Sequence, residues 1–323
     1  MSTTANPSAW PSLRVDDWTD TRNTLHMWVQ IVGKIRMQYA PLLNHWWQVT
    51  FYITPVGMTT SSIPYAGDTF DIEFNFIEHE LLFRRSNGKH TSFALEEMTT
   101  AEFYAKVKAA MDAIEVPMDI ILTPNEVDPA IPFDEDTTHK TYDKEAVTAF
   151  WRQLSKAHIA MEEFRSHFIG KVSPVHFFWG SFDMAVTRFE GTIAPRHPGG
   201  VPNCGDWVMV EGYSHKLSSC GFWPGGGEEG AFYSYTYPVP DGFSEQKIEP
   251  AEAFYSEEFQ QFLLPYEAVR QSDNPEEKVR QFFNSTYAVA ADLGNWDRKA
   301  LESTPDRLER YQEGAAPAEC ILG

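Results

Sequence analysis

Hydrophobic spacing divides the chain into helices and strands before any chemistry is considered. Leu25, Trp28, Val32 and Ile35 recur at helical spacing, which predicts a helix over residues 22–37 capped by Asp20 or Thr21. Pro41 ends it, because proline disfavours helical geometry in the residue before it. Residues 45–54 are aromatic and β-branched and predict a strand. Residues 58–64 read as a second strand or a long loop. Residues 69–77 alternate, with Phe70, Ile72, Phe74 and Phe76 on one face and Asp71, Glu73 and Asn75 on the other. That pattern predicts an antiparallel strand with one wet side. Residues 80–85 follow as a strand, and Asn87-Gly88 predicts a hairpin turn. Thr99 and Glu102 form a capping box for a helix reaching about residue 115.

The second half shows a comparable sequence of patterns. Residues 118–122 read as one short strand in a Pro-rich acidic connector over 117–141. Asp143 caps a helix to about residue 168, with Val147, Phe150, Leu154, Met161 and Phe164 inward. Residues 175–189, 207–217 and the alternating Tyr233, Tyr235 and Tyr237 predict strands, separated by loops over 192–204 and 222–230. Asn274-Pro275 with Glu277 predicts the start of a last helix carrying Val279, Phe283 and Tyr287. The fold class expected is α+β, because strands and helices do not alternate strictly.

The two halves also echo each other in short strings. Residues 30–34 (QIVGK) echo 167–171 (HFIGK). His45-Trp46-Trp47 echoes His176-Phe177-Phe178-Trp179, and Ser61-Ser62 echoes Ser218-Ser219. Internal similarity of this kind predicts a duplicated helix, antiparallel sheet, helix unit. The expected organisation is an irregular lead-in over 1–17, a first unit over 18–125, a second over 126–302 with loop insertions at 190–206 and 222–230, and a flexible tail over 303–323.

Composition narrows the function classes. The 323 residues are 42% hydrophobic, enough for a core. Lys+Arg total 26 against 46 Asp+Glu, a net charge of −20, which argues against nucleic acid and anionic membrane partners. Three cysteines without CxxC spacing argue against a disulfide framework or a cysteine-built zinc site. The first residues carry no secretory pattern and no apolar run reaches membrane length, so a soluble, cytoplasmic protein is expected. Cys320-Ile321-Leu322-Gly323 has the outline of a prenylation box, but the terminal Gly and the missing basic run disfavour it.

Candidate chemistry gathers in residues 164–189. Lys171, His176, Asp183 and Arg188 lie there among aromatics. His176 is the candidate base or ligand, Asp183 its orienting carboxylate, and Lys171 or Arg188 an anchor for an anionic group. The plain alternative is a buried pairing of Asp183 with Arg188 or Lys171. His45 stands opposite His176 if the halves are related. If residues 207–217 are a strand, His215 and Glu211 share a face, and with His176 they make a His/His/carboxylate kit for Zn or non-haem Fe. Ser62 and Ser218 are candidate hydrogen-bonding groups for a ligand. Trp46, Trp179 and Trp223 are candidate stacking surfaces, as suits a sugar. His197, beside Arg196 and Gly199-Gly200, marks a candidate lid. The expected partner is a small-molecule ligand or substrate. An enzyme acting on a small polar or anionic molecule, a non-catalytic small-ligand binding protein and a structural protein all remain open, as does the oligomeric state.

The strings TLHMWVQIVGKIR, NHWW, TTSSIPY, IPFDED, FIGKVSPVHFFWGSFDMAVTRF, HPGGVPN, SSCGFWPGG and STYAVAADLGNWDR carry a resemblance. The chain resembles a family of uncharacterised bacterial and fungal proteins, over about residues 10–301. The resemblance implies a single full-length unit and assigns no activity.

Overall fold

The computed structural model describes residues 10–303. The predicted tail beyond residue 303, with Cys320, lies outside the described residues. Helix α1 (Val15–Tyr39) starts seven residues before the expected position. Its N-cap is Arg14, without a side-chain bond, and the acidic Asp16 and Asp17 complement the dipole of the first turn instead. The lead-in is therefore helical from residue 15. Trp28 of α1 stacks on Phe103 at 4.5 Å and is fully buried.

The first half continues with strands β1 (Tyr52–Thr54), β2 (Gly57–Thr59), β3 (Ile63–Tyr65), β4 (Asp68–Asn75), β5 (Glu80–Arg85) and β6 (His90–Ala94). All pair antiparallel, with β3 beside β4 outside the main path. β4 buries Phe70, Ile72 and Phe74 as its alternation requires. The Asn87-Gly88 turn joins β5 to β6, with Gly88 at φ +92°. Helix α2 (Thr100–Ala113) is closed by the expected capping box of Thr99 and Glu102. No strand forms over residues 118–122.

Asp143 caps α3 (Lys144–Ser166) through the backbone N–H groups of Glu145 and Ala146. The second sheet holds β7 (His176–Phe178), β8 (Asp183–Ile193), β9 (His215–Trp223), β10 (Ala231–Tyr237), β11 (Phe254–Ser256) and β12 (Gln261–Pro265), in the order β11-β12-β10-β9-β8-β7. Helices α4 (Asp206–Gly212), α5 (Tyr266–Arg270), α6 (Pro275–Leu293) and α7 (Arg298–Leu301) complete the chain. Asn274 caps α6 as expected, accepting from the Glu277 N–H.

In the second sheet two expected strands differ from the outcome. Residues 175–189 split into β7 and β8 at a tight turn, where Phe182 takes φ 56°. Residues 207–217 do not form one strand, because 206–212 coil into α4. The halves meet edge to edge. Phe51 and Phe177 exchange both backbone hydrogen bonds at 2.9 Å, so β1 and β7 face each other across the junction. One hydrophobic core runs through both halves. The order helix, antiparallel sheet, helix recurs, in keeping with an α+β class. The echoing strings do not occupy equivalent places, however. Residues 30–34 lie mid-α1, whereas 167–171 follow α3. The recurrence of elements is real; a duplication is not established by it.

Candidate functional site

Register assigns the faces of the second sheet. Phe177, Met184, Val186, Cys220, Phe222 and Phe232 point towards α3 and α6 and into the core. Their neighbours point the other way: His176, Phe178, Asp183, Ala185, Thr187, Phe189, Ser219, Gly221, Tyr233 and Tyr235. The turn between β7 and β8 reverses the parity expected of one long strand. Asp183 therefore lies on the same face as His176 and Phe178.

Arg188 is on the helix face, away from Asp183. Its guanidinium lies 3.5 Å over the Phe164 ring and 4.3 Å from Tyr287, and it donates to the Phe164 carbonyl. Burial lowers it to about 10. The plain pairing of Asp183 with Arg188 does not form. Arg188 is packed architecture, and Ser218 lies buried beside it on the same face.

The opposite face is roofed by residues 195–214 and by the connector. Tyr237 donates to the Pro195 carbonyl at 3.0 Å, and the Tyr213 and Tyr235 hydroxyls meet at 3.0 Å. The Glu126 N–H donates to Pro202 O at 3.0 Å, and Asn203 donates from its amide to Val127 O at 2.7 Å. His197 packs on Tyr213 at 4.6 Å and on Tyr237 at 5.4 Å. Beneath that roof Asp183, Tyr213 and Tyr235 each keep part of their surface in solvent.

Asp183 lies on this face of the sheet, beneath the roof. Ser181 and Tyr233 donate hydroxyl hydrogen bonds to its two oxygens. Burial raises its pKa despite those bonds, which work downward. Burial also holds the Tyr233 and Tyr213 phenols well above their ordinary value, so both stay protonated donors. The Tyr233 ring can reach Asp183 because Gly221 stands directly opposite it: a Cβ at Gly221 would collide with the ring and lie 2.5 Å from the Met184 carbonyl.

Glu126 is an exposed residue whose carboxyl end turns in against Gly180, at φ 59°. Desolvation, then the Asp183 charge, push it up to about 7, while its wet outer side works against the shift. Behind it, Lys34 is 2% exposed and donates to the Asn125 side chain. Its amine lies 5.7 Å from the Trp179 ring, and burial lowers it to about 8. Trp179 itself is buried and donates to Val49 O at 2.8 Å, so it is a wall of this region rather than a stacking surface.

The remaining candidates gather elsewhere. His176 is 1% exposed among Trp47, Tyr52 and Phe178, with its Nδ1 unpartnered and its Nε2 3.5 Å from the Tyr52 hydroxyl. Burial, aided by Arg36 and Arg165, lowers it to about 3, so it stays neutral. His45 does not belong to a strand. It sits in a 3-10 stretch (Asn44–Val49) with Trp46, both at positive φ. Its imidazole stacks 4.4 Å from Phe189, donates to Gly212 O at 3.0 Å and meets Lys171 Nζ at 2.8 Å. Glu211 accepts from the His45 N–H at 3.1 Å, and the His215 ring lies 5.7 Å away.

His176, His215 and Glu211 do not assemble as a ligand set. Glu211 lies on α4 and His215 on β9, and no group of three His, Cys, Asp or Glu among the described residues could hold a metal. Ser62 stands exposed between β2 and β3, and Trp223 packs against Phe259 at 5.5 Å. Trp46 meets Trp207 at 4.9 Å near the surface. A groove of about 520 Å³ beside α6, lined by His167, Arg280 and Arg298 among others, contains none of these candidates.

Glu126, Tyr213, Tyr233 and Lys34 join the site without having been singled out as site residues in the sequence. Alternation at 233–237 signalled the strand but not its role, and Glu126 carries no local signature.

No described helix is long and apolar enough to cross a membrane. No curated protein and no solved structure matches the chain. A family model does match residues 10–303, nearly the whole chain, and the protein belongs to DUF5996, a family of unknown function.

Proposed function

We propose that residues 195–214 and this face of the second sheet enclose a tyrosine-lined cleft, in which the protein carries out general acid–base chemistry on a small, uncharged polar molecule. The observation that carries the reading is the Glu126 carboxyl turned in against Gly180, three residues from Asp183, with burial favouring the protonated form of both groups. Two carboxyls in unlike environments divide into an acid and a base. Asp183 accepts from Ser181 and Tyr233, which favours its ionised form, so it is the base. Glu126 has no such donors among the described hydrogen bonds and is the acid, protonated for much of the population at neutral pH. The two titrate as a coupled pair. An anionic substrate suits the acidic cleft poorly. Metal assistance through His176, His215 and Glu211 finds no support in their placement.

The test is turnover against a panel of small neutral substrates with hydrolysable or isomerisable bonds, on wild type, Asp183→Asn and Glu126→Gln. The reading expects a bell-shaped pH profile whose limbs vanish separately in the two variants. Turnover in wild type that survives unchanged in both would overturn it. The row of His197, Tyr213 and Tyr237 rings favours a second reading, sugar binding without turnover. Saturable binding of a sugar that persists in Asp183→Asn without any turnover would select that one.

A further inference from the structure

We infer that Lys171 is an acyl-acceptor site, a surface lysine whose amine is deprotonated by His45 for reaction with activated acyl groups. This goes beyond the cleft reading and uses none of its residues.

The Gly212 carbonyl can only accept, so the bond of 3.0 Å to His45 Nδ1 requires a proton on Nδ1. In the neutral ring Nε2 is then a bare lone pair, and it faces Lys171 Nζ at 2.8 Å. Lys171 is itself an exposed residue, so a reagent can reach the amine.

The residue is held from several directions. The His45 ring stacks on Phe189 at 4.4 Å, and the His45 backbone N–H is bound by Glu211 at 3.1 Å. His45 and Trp46 sit consecutively at φ 56° and φ 61°. Left-handed geometry costs about 1–2 kcal/mol per non-glycine residue, so the surroundings must over-determine it. A strained, over-determined histidine aimed at a solvent-facing amine is the arrangement of a base and its nucleophile.

The surroundings disfavour charge on both groups. Burial keeps His45 below its ordinary value, with Gly212 opposing and Lys171 and His215 assisting. Desolvation lowers Lys171, with Glu211 opposing. The faces of Phe189 at 4.9 Å and Trp47 at 5.5 Å favour the ammonium form, as Glu211 does. Desolvation outweighs the Glu211 charge.

The chemistry balances without a redox partner. The ammonium of Lys171 passes one proton to His45 Nε2. The free amine attacks the carbonyl of a thioester or acyl phosphate, the C–N bond forms, and the thiolate or phosphate leaves with the C–X electron pair. The amine's second proton and the one on His45 pass to the leaving group or to water. The product is a neutral amide beside Glu211.

The test exposes the full-length protein near pH 7 to acetyl phosphate and, separately, to acetyl-coenzyme A. Acetylation at every lysine is followed by mass spectrometry. Lys171 is expected to react several-fold faster than the median lysine with one or both donors, since a lowered pKa raises the free-amine fraction near neutrality. The faster donor identifies the source of the acyl group. His45→Asn, chosen because asparagine tolerates positive φ, is expected to bring Lys171 to the median rate. Wild-type Lys171 at the median rate, or an undiminished rate in a folded His45→Asn, would overturn the inference. If that variant does not fold, the wild-type pH profile decides. The Lys171 rate should level off below the ordinary lysine range, and a rate climbing about tenfold per pH unit up to pH 10 would refute the proposal.

Discussion

Replacing His176 with phenylalanine should leave the protein's stability nearly unchanged at pH 8 and make it the more stable form at pH 5. His176 is 1% exposed, and its folded pKa is about 3 against an ordinary value of 6.5. A histidine lowered in this way favours the fold only while neutral. Its contribution is fully present above pH 6.5 and is lost as pH falls from 6.5 towards 3. With those two values, linkage gives a loss of about 2 kcal/mol at pH 5 and about 3 kcal/mol at pH 4. At pH 8 the swap removes one weak contact, to Tyr52 at 3.5 Å, and an orphaned Nδ1. The new ring joins Trp47, Tyr52 and Phe178, so a change under about 1.5 kcal/mol is expected. Urea unfolding followed by tryptophan fluorescence at pH 8, 7, 6 and 5 gives the difference curve directly. His26, also lowered by burial, to about 4, is common to both proteins and cancels. Parallel curves across that range would refute the claim that His176 is sealed, neutral architecture. They would return it to the open, titrating base that its sequence context advertised.

Gly221→Ala should cost about 1–3 kcal/mol by overpacking and lower the midpoint of thermal unfolding, because its Cβ meets both the Tyr233 ring and the Met184 carbonyl. An unchanged midpoint would show that Tyr233 does not pack over Gly221. Tyr233→Phe should keep the fold but raise the Asp183 pKa further, since it removes a hydrogen bond to the ionised form; carboxyl NMR should show the shift upward. Glu229→Gln should cost about 2–4 kcal/mol, measured by urea unfolding. Glu229 is 5% exposed, holds Arg270 by two bonds of 2.8 and 3.0 Å, and takes a hydroxyl bond from Ser12.

Much of the fold was legible because its signals are local. The Asp143 and Asn274 caps, the Thr99–Glu102 box, the Asn87-Gly88 turn and the alternation of β4 each depend on a few neighbouring residues. The misplacements share another cause. Phe182, His45, Trp46 and Glu126 all take positive φ, a conformation bulky residues reach only under tertiary constraint. That constraint turned one expected strand into β7 and β8, bent residues 44–49 out of a strand and aimed Glu126 at the cleft. Residues 207–217 read as strand because Trp207, Val208 and Val210 favour one, while the segment coils into a seven-residue helix over the 3-10 stretch. Among the site residues, Asp183 was legible as chemistry, but its partners were not. Tyr233 reaches it from β10, at a sequence distance no local pattern encodes.

The most direct test of the account is the carboxyl titration of Asp183 and Glu126 by carbon-detected NMR, with Asp183→Asn and Glu126→Gln as assignment controls. The account predicts a coupled pair with at least one group titrating near neutrality, and a downward move of Glu126 when the Asp183 charge is removed. Two independent titrations in the ordinary carboxylate range, each indifferent to loss of the other, would contradict it.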